Sequence, residues 1–124
     1  MAALEHVALK ALNLERTADF YQALGAVISR HDEGRRLFAE FSSGSRLIFD
    51  AVATAPDPSA LTYLGLELDS ECEVDDLIAS LTDQSSGVQD MRQDYRQKTG
   101  PYGFFVTDPD GYLIKVFKYH NQEE

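Results

Sequence analysis

The chain has 124 residues, of which 26% are charged and 44% hydrophobic, and these values suit one domain that buries its own core. A formal net charge of −10 argues against nucleic acid and anionic membranes as partners, because both would repel the chain, whereas a cationic or neutral small molecule is easier to accommodate.

The single cysteine, Cys72, excludes an intrachain disulfide and a cysteine-based metal cluster. With no apolar run of membrane-spanning length and no signal-peptide pattern in residues 1–15, we expect a cytoplasmic protein.

The first half of the chain predicts a strand, a helix and three more strands. Alternating residues favour a strand over 4–9, and Asn13 is a favourable N-cap for a helix over 14–24 that ends at Gly25. A second strand is predicted at 26–30. The next two segments, 37–41 and 46–52, are predicted to form a hairpin.

The second half repeats this order after a short linker, 53–60, that carries two of the four prolines. The pattern predicts a strand over 61–69, a helix opened by the capping box Ser70 to Glu73 and ending before Gly87, and a weak strand over 88–95. The last hairpin joins 103–106 to 113–119 through the turn Asp108-Pro109-Asp110-Gly111.

The two halves indicate an internal duplication. Gly25 corresponds to Gly87 and Gly44 to Gly111, and the order of elements is the same. The chain is therefore predicted to be one α+β domain built from two βαβββ modules, at about 1–52 and 61–119. Each module would curl a mixed sheet around a shared cleft, with the helices on the outer face.

Strand alternation assigns residues to the two faces of these sheets. The faces expected to pack on the helices carry Val7, Leu47, Leu64 and Ile114. The faces expected to line the cleft carry His6, Ile48, Tyr63 and Lys115.

Three segments resemble the vicinal oxygen chelate superfamily, which contains glyoxalases, extradiol dioxygenases, and fosfomycin and bleomycin resistance proteins. They are Leu4-Glu5-His6-Val7-Ala8-Leu9, the helix end Ala18-Asp19-Phe20-Tyr21-Gln22-Ala23-Leu24-Gly25, and Pro101-Tyr102-Gly103 followed by Thr107-Asp108-Pro109-Asp110-Gly111. The resemblance covers almost the whole chain. It implies the glyoxalase/bleomycin resistance fold and a homodimer.

Metal-dependent members of that family hold a divalent ion at positions that correspond here to His6, Ile48, Tyr63 and Lys115. Only His6 is an ordinary ligand, since Ile48 has no donor atom and Tyr63 would need a deprotonated phenol. Lys115 puts a cation where the family has a carboxylate. A rearranged set, His6 with Glu67 or Asp50, remains an alternative.

These residues lead to three functional hypotheses. The first is a metal-free small-molecule binding protein of the bleomycin-resistance type, with an aromatic or amphipathic ligand. The second is a glyoxalase-like lyase or extradiol-dioxygenase-like enzyme that uses Mn, Fe, Ni or Zn. The third is a metal-free enzyme in which His6 and Lys115 transfer protons. The expected ligand-binding residues are His6, Ile48, Tyr63, Glu67, Tyr102, Lys115 and Phe117.

Overall fold

The structure, a computed structural model, describes residues 1–82, 87–95 and 101–119. The chain forms two compact units, Met1–Pro58 and Ser59–Glu124, and the boundary falls inside the predicted linker 53–60. None of the helices in the described ranges is long and apolar enough to cross a membrane.

The first unit is a four-stranded mixed sheet with one helix. Its strand order is β1-β4-β3-β2, with β1 and β4 parallel and the other neighbours antiparallel. The elements are β1 (His6–Ala11), α1 (Leu14–Ala23), β2 (Val27–His31), β3 (Arg36–Glu40) and β4 (Arg46–Ala51).

Helix α1 begins where the sequence predicts and ends at Ala23, one residue before the predicted end. The Oδ1 atom of Asn13 accepts hydrogen bonds from the backbone N–H groups of Glu15 and Arg16 at 3.0 and 3.1 Å, which satisfies two of the orphan donors of the first turn. Gly25 follows the helix at a φ of 99°, a conformation that favours glycine. The buried ring of Tyr21 lies 5.0 Å from that of Phe49, so α1 packs on the face of the sheet that Phe49 occupies.

The second unit has the same topology. Its strand order is β5-β8-β7-β6, again with one parallel pair, β5 and β8. The elements are β5 (Leu64–Glu67), α2 (Glu71–Thr82), β6 (Gln89–Asp90), α3 (Arg92–Tyr95), β7 (Pro101–Thr107) and β8 (Leu113–Tyr119). The two units therefore form the predicted pair of βαβββ modules, with a short extra helix in the second.

A capping box opens α2, with one difference from the usual pattern. The Oγ atom of Ser70 accepts from the backbone N–H of Glu73 at 3.1 Å. The carboxylate of Glu73 accepts from Asp69, one residue before the cap, at 2.9 Å. Residues 83–86 lie outside the described ranges, and with them the predicted end of this helix before Gly87.

The turn between β7 and β8 is held by Asp108. Its Oδ1 atom accepts from the backbone N–H groups of Asp110 and Tyr112, both at 2.9 Å, and Gly111 has a φ of 95°. The predicted hairpin is confirmed. Its first strand, β7, covers Pro101–Thr107 rather than 103–106, and its second strand, β8, has the predicted bounds 113–119.

The strand registers support the duplication residue by residue. Ala8 lies opposite Ile48 in the first sheet, and Gly65 lies opposite Lys115 in the second. Ile48 and Lys115 are each the third residue of the last strand in their unit, after a glycine with a φ of 95°. They are therefore equivalent positions of the two modules.

Two predicted strands are much shorter in the structure, and β1 lies at His6–Ala11 rather than 4–9. Strand β5 covers only Leu64–Glu67 rather than 61–69, because its partner β8 begins at Leu113 and residues 61 and 62 run past that start. Strand β6 covers two residues of 88–95, and Arg92–Tyr95 is helical. Asp90 explains this change, since its Oδ1 accepts from the backbone N–H of Arg92 at 3.0 Å and starts a helical turn.

Candidate functional site

Most of the residues that could form a binding site lie on the side of the second sheet that points away from α2. The side facing α2 carries buried residues such as Phe104, Val106, Ile114 and Val116. The opposite side, called here the aromatic face, is formed by Tyr63, Gly65, Gly103, Phe105, Lys115, Phe117 and Tyr119.

Lys115 lies among three aromatic rings on this face. Its Nζ atom is 5.3 Å from the ring centre of Phe117, 5.6 Å from that of Tyr63 and 6.0 Å from that of Phe105. These distances fall within the range of cation–π attraction. The ammonium group therefore lies within cation–π range of three rings, at the position where the family resemblance implies a metal-ligating carboxylate.

The rings themselves stand nearly perpendicular to one another in two pairs. Tyr63 and Phe105 have centres 5.5 Å apart at 83°, and Phe117 and Tyr119 have centres 4.9 Å apart at 75°. Tyr63 and Tyr119 are 44% and 53% exposed, so part of each phenol ring can be contacted by another molecule. Edge-to-face pairs of this kind hold aromatic side chains in fixed orientations.

Two glycines make room for Phe117 on the aromatic face. A Cβ atom at Gly65 would lie 3.2 Å from Cε1 of Phe117. At Gly103 it would lie 2.1 Å from the carbonyl oxygen of Val116 and 2.7 Å from Cα of Phe117. Larger residues at these positions would displace the ring that borders Lys115.

Glu67 lies at the end of β5, where its carboxylate has two donors. It accepts from Nζ of Lys118 at 3.3 Å and from the backbone N–H of Tyr119 at 3.4 Å. The carboxylate thus reaches past the last pair of the β5–β8 ladder, at the margin of the aromatic face.

Tyr102, expected among the ligand-binding residues, lies on the opposite side of the sheet. It is 4% exposed, and its hydroxyl donates to Asp75 of α2 at 2.7 Å. Arg92 donates to the same carboxylate oxygen at 2.6 Å. These two hydrogen bonds connect α2 and α3 to β7. They correct the expectation that Tyr102 binds a ligand, because strand alternation points its side chain toward α2.

His6, in the first unit, is held by a carboxylate that sequence analysis did not select. Its Nδ1 atom lies 2.5 Å from Oε1 of Glu5, and Glu5 also accepts two bonds from Arg46, at 2.7 and 3.0 Å. Hydrogen bonds from Arg46 and His6 lower the pKa of Glu5 to about 2 from its ordinary value of 4.5. Glu5 therefore stays ionised at neutral pH and orients the imidazole.

Ile48 lies in an apolar row across the first sheet. The register places it between Ala8 and Phe38, and it is 9% exposed. The guanidinium carbon of Arg46 lies 4.8 Å from the ring centre of Phe38 at one side of this row. A hydrocarbon side chain here can contact a ligand but cannot coordinate one.

The four positions that correspond to the family's metal ligands do not fit a divalent ion. They offer one imidazole, one hydrocarbon, one phenol and one ammonium. Both carboxylates of the rearranged alternative have basic partners, Asp50 with Arg36 at 2.7 Å and Glu67 with Lys118. Among the described residues, no group of three or more His, Cys, Asp and Glu side chains could hold a metal ion.

Sequence analysis did not identify two residues of these sites. Phe105 lies directly opposite Lys115, and counting outward from the turn at Asp108 would have found it, because Thr107 pairs with Leu113. Glu5 contacts Arg46 across 41 positions of sequence, through the parallel β1–β4 pair. No local pattern indicates that contact.

Comparison with known proteins agrees with the fold. The family model of the Glyoxalase/Bleomycin resistance protein/Dioxygenase superfamily matches residues 3–116. No curated protein sequence matches the chain.

Several solved structures share the fold. The bleomycin resistance determinant encoded on transposon Tn5 is 22% identical, with a TM-score of 0.69 over 97% of this chain and 100% of that one. The fosfomycin resistance protein FosX from Listeria monocytogenes is 15% identical, with a TM-score of 0.76 over 95% and 91%. A possible glyoxalase from Bacillus cereus is 19% identical, with a TM-score of 0.76 over 94% and 99%. On the match to the family model, the chain belongs to the glyoxalase/bleomycin resistance protein/dioxygenase superfamily.

Proposed function

We propose that the protein binds a small aromatic or amphipathic molecule without a metal ion, and that the ligand contacts the aromatic face of the second sheet. The observation that carries this proposal is the position of Lys115, whose Nζ atom lies 5.3–6.0 Å from three ring centres. Aromatic walls with a few polar groups are the usual lining of sites for flat small molecules.

The side chains at the positions that correspond to the family's metal ligands support a site without a metal ion. An ammonium group repels a divalent cation, whereas a carboxylate at the same position would attract one. The exposed rings of Tyr63 and Tyr119 add contact area on both sides of Lys115. The first unit contributes no equivalent cation at Ile48, so the two modules differ at this position.

Thermal-shift screening with a library of aromatic compounds tests binding. A ligand present at a hundredfold its dissociation constant should stabilise the folded protein by about 2.7 kcal/mol. Phe105→Leu should weaken the hit, because the variant removes one ring from the aromatic face. Phe38→Leu is the matched control, since Phe38 occupies the equivalent place in the first sheet. Equal loss in both variants, or retention in both, would argue against the aromatic face.

A metal-free proton-transfer enzyme is the second candidate function, and the contact between Glu5 and His6 favours it. A carboxylate on Nδ1 leaves Nε2 as the atom that can take a proton from a substrate. Incubation of the protein with each screened ligand, followed by mass spectrometry, separates this candidate from the first. A ligand recovered unchanged supports binding alone, whereas turnover that is lost in His6→Gln supports the enzyme.

We also propose that the protein is a homodimer, on the family resemblance. Sedimentation velocity of the purified chain tests this point. A single species of twice the 13.8 kDa chain mass is the expected result, and a monomer at all concentrations contradicts it.

A further inference from the structure

We propose that His6, on the side of the first sheet that points away from α1, is a second binding site for a small molecule. Its Nε2 atom accepts a hydrogen bond from a ligand that carries a hydroxyl or N–H group on an apolar body. Glu5 selects this class of ligand, because it fixes which nitrogen of the imidazole carries the proton. The inference goes beyond the proposed function, since it concerns the first unit and needs none of the rings of the aromatic face.

The imidazole of His6 already uses one of its two nitrogens. Its Nδ1 atom lies 2.5 Å from Oε1 of Glu5. An ionised carboxylate only accepts hydrogen bonds, so the proton between the two atoms belongs to Nδ1. A neutral imidazole has one N–H, and its other nitrogen is then an acceptor. In the neutral form of His6, Nε2 therefore accepts a hydrogen bond and cannot donate one.

Arg46 keeps Glu5 in the ionised state that fixes this tautomer. Its guanidinium group donates to both carboxylate oxygens, at 2.7 and 3.0 Å, and it is the first cause of the low pKa of Glu5, about 2. The carbon atom of the same guanidinium group lies 4.8 Å from the ring centre of Phe38, which restrains the arginine further. The carboxylate is thus ionised and oriented before a ligand arrives, which favours affinity.

The surface around Nε2 is open and partly apolar. The side chain of His6 is 47% exposed, and none of the described residues forms a hydrogen bond with its Nε2 atom. Ala8, the next residue of β1 on the same side of the sheet, is also exposed, and its methyl group leaves room beside the imidazole. Ile48 lies opposite Ala8 in the register. These two side chains suit the hydrocarbon part of a ligand whose polar group meets Nε2.

The fixed acceptor discriminates between ligands by their hydrogen-bonding groups. In the free protein, an exposed Nε2 atom accepts from water. A ligand with a hydroxyl or N–H group replaces that bond, whereas an ether or ketone displaces the water and leaves the acceptor of His6 without a donor. An acceptor that loses its partner on burial costs free energy. Donor ligands are therefore preferred over ligands of the same size that only accept.

Nitrogen-15 NMR of the histidine side chains tests the tautomer directly. Spectra are recorded at about pH 9, where imidazole is neutral, and His6→Gln identifies the signals of His6 by their loss. We expect the proton on Nδ1 in the wild-type chain and a mixture of tautomers in Glu5→Gln, whose amide can accept or donate. Glu15→Gln is the matched control, because Glu15 also accepts two bonds from an arginine, Arg30, but bonds to no imidazole among the described residues. A proton on Nε2 in the wild-type chain would overturn the inference.

Two isomeric naphthalene compounds test the class of ligand. Naphthylethanol has a hydroxyl donor, and methoxymethylnaphthalene has an ether oxygen that only accepts. Each is titrated into the nitrogen-15-labelled chain, and its dissociation constant is read from the Nε2 signal of His6, so that binding at the aromatic face is not counted. The alcohol should bind about fivefold more tightly, the usual effect of one neutral hydrogen bond. Glu5→Gln should remove this preference, and Glu15→Gln should keep it.

Three outcomes of the titration would overturn the inference. They are equal affinities of the two isomers for the wild-type chain, an Nε2 signal that neither compound moves, and a preference that persists unchanged in Glu5→Gln. None of them bears on the aromatic face, because the thermal-shift screen and the Phe105→Leu variant test that face separately. The failure of this inference and the failure of the proposed function are therefore distinguishable.

Discussion

Gly103 lies opposite Phe117 in the β7–β8 ladder, and a Cβ atom at Gly103 would lie 2.7 Å from Cα of Phe117. The same atom would lie 2.1 Å from the carbonyl oxygen of Val116. Both neighbours are backbone atoms, which cannot move aside as a flexible side chain can. The close approach of these two strands therefore depends on the absence of a side chain at position 103.

Gly103→Ala should reduce the free energy of unfolding by about 1–3 kcal/mol, the usual cost of forcing extra atoms into a packed site. Urea unfolding followed by circular dichroism measures this change. Gly65→Ala is the comparison, because its Cβ would approach only the ring edge of Phe117, at 3.2 Å, and the ring can shift. A Gly103→Ala variant as stable as wild type would show that the strands are not packed as described.

Tyr102→Phe should destabilise the protein by about 1 kcal/mol, since it removes one hydrogen bond to Asp75. Binding of an aromatic ligand found in the thermal-shift screen should not change, because Tyr102 lies on the helix side of the sheet. Parallel urea unfolding and calorimetry of the variant check both statements. A clear loss of ligand affinity with unchanged stability would return Tyr102 to the ligand-binding residues.

The elements that sequence analysis located correctly have local causes. Asn13 and Gly25 fix the ends of α1, and Asp108 and Gly111 fix the last turn, so each can be read from neighbouring residues. The duplication then predicts the topology of both sheets.

The missed features depend on strand register. The face of Tyr102 follows from its pairing with Lys118, and the length of β5 follows from the start of β8 at Leu113. The bonds of Glu5 depend on the alignment of β1 with β4. The β1–β4 and β5–β8 alignments join segments that are distant in sequence, whereas the face of Tyr102 could have been counted outward from the turn at Asp108.

Asn13→Ala should cost about 1 kcal/mol of stability, the typical effect of removing an N-cap side chain. Its Oδ1 atom bonds the N–H groups of Glu15 and Arg16, and alanine leaves both to water. Thermal unfolding of wild type, Asn13→Ala and Asn13→Asp gives the test. The aspartate variant keeps an acceptor and should be as stable as wild type. Equal losses of stability in both variants would show that the side chain of residue 13 does not cap α1.

The pH dependence of the free energy of unfolding should reflect the ionisation of Glu5. Because its pKa falls from 4.5 to about 2 in the folded protein, the ionised carboxylate favours folding at pH above 4.5. That contribution is lost as the pH drops from 4.5 toward 2. The stability difference between wild type and Glu5→Gln should therefore shrink over this window.

Carbon-13 NMR titration of the Glu5 carboxyl group gives the pKa directly. Arg46→Gln should move it upward, since Arg46 is the first cause of the shift. A wild-type midpoint near 4.5 would mean that the bonds from Arg46 and His6 do not form in solution.

The metal content of the purified protein tests the central claim, that a fixed lysine has taken the place of a metal-ligating acid. The chain is prepared without chelators and analysed by inductively coupled plasma mass spectrometry, together with His6→Ala. The account predicts bound Mn, Fe, Ni and Zn far below one ion per chain in both proteins. One ion per wild-type chain, lost in His6→Ala, would contradict it.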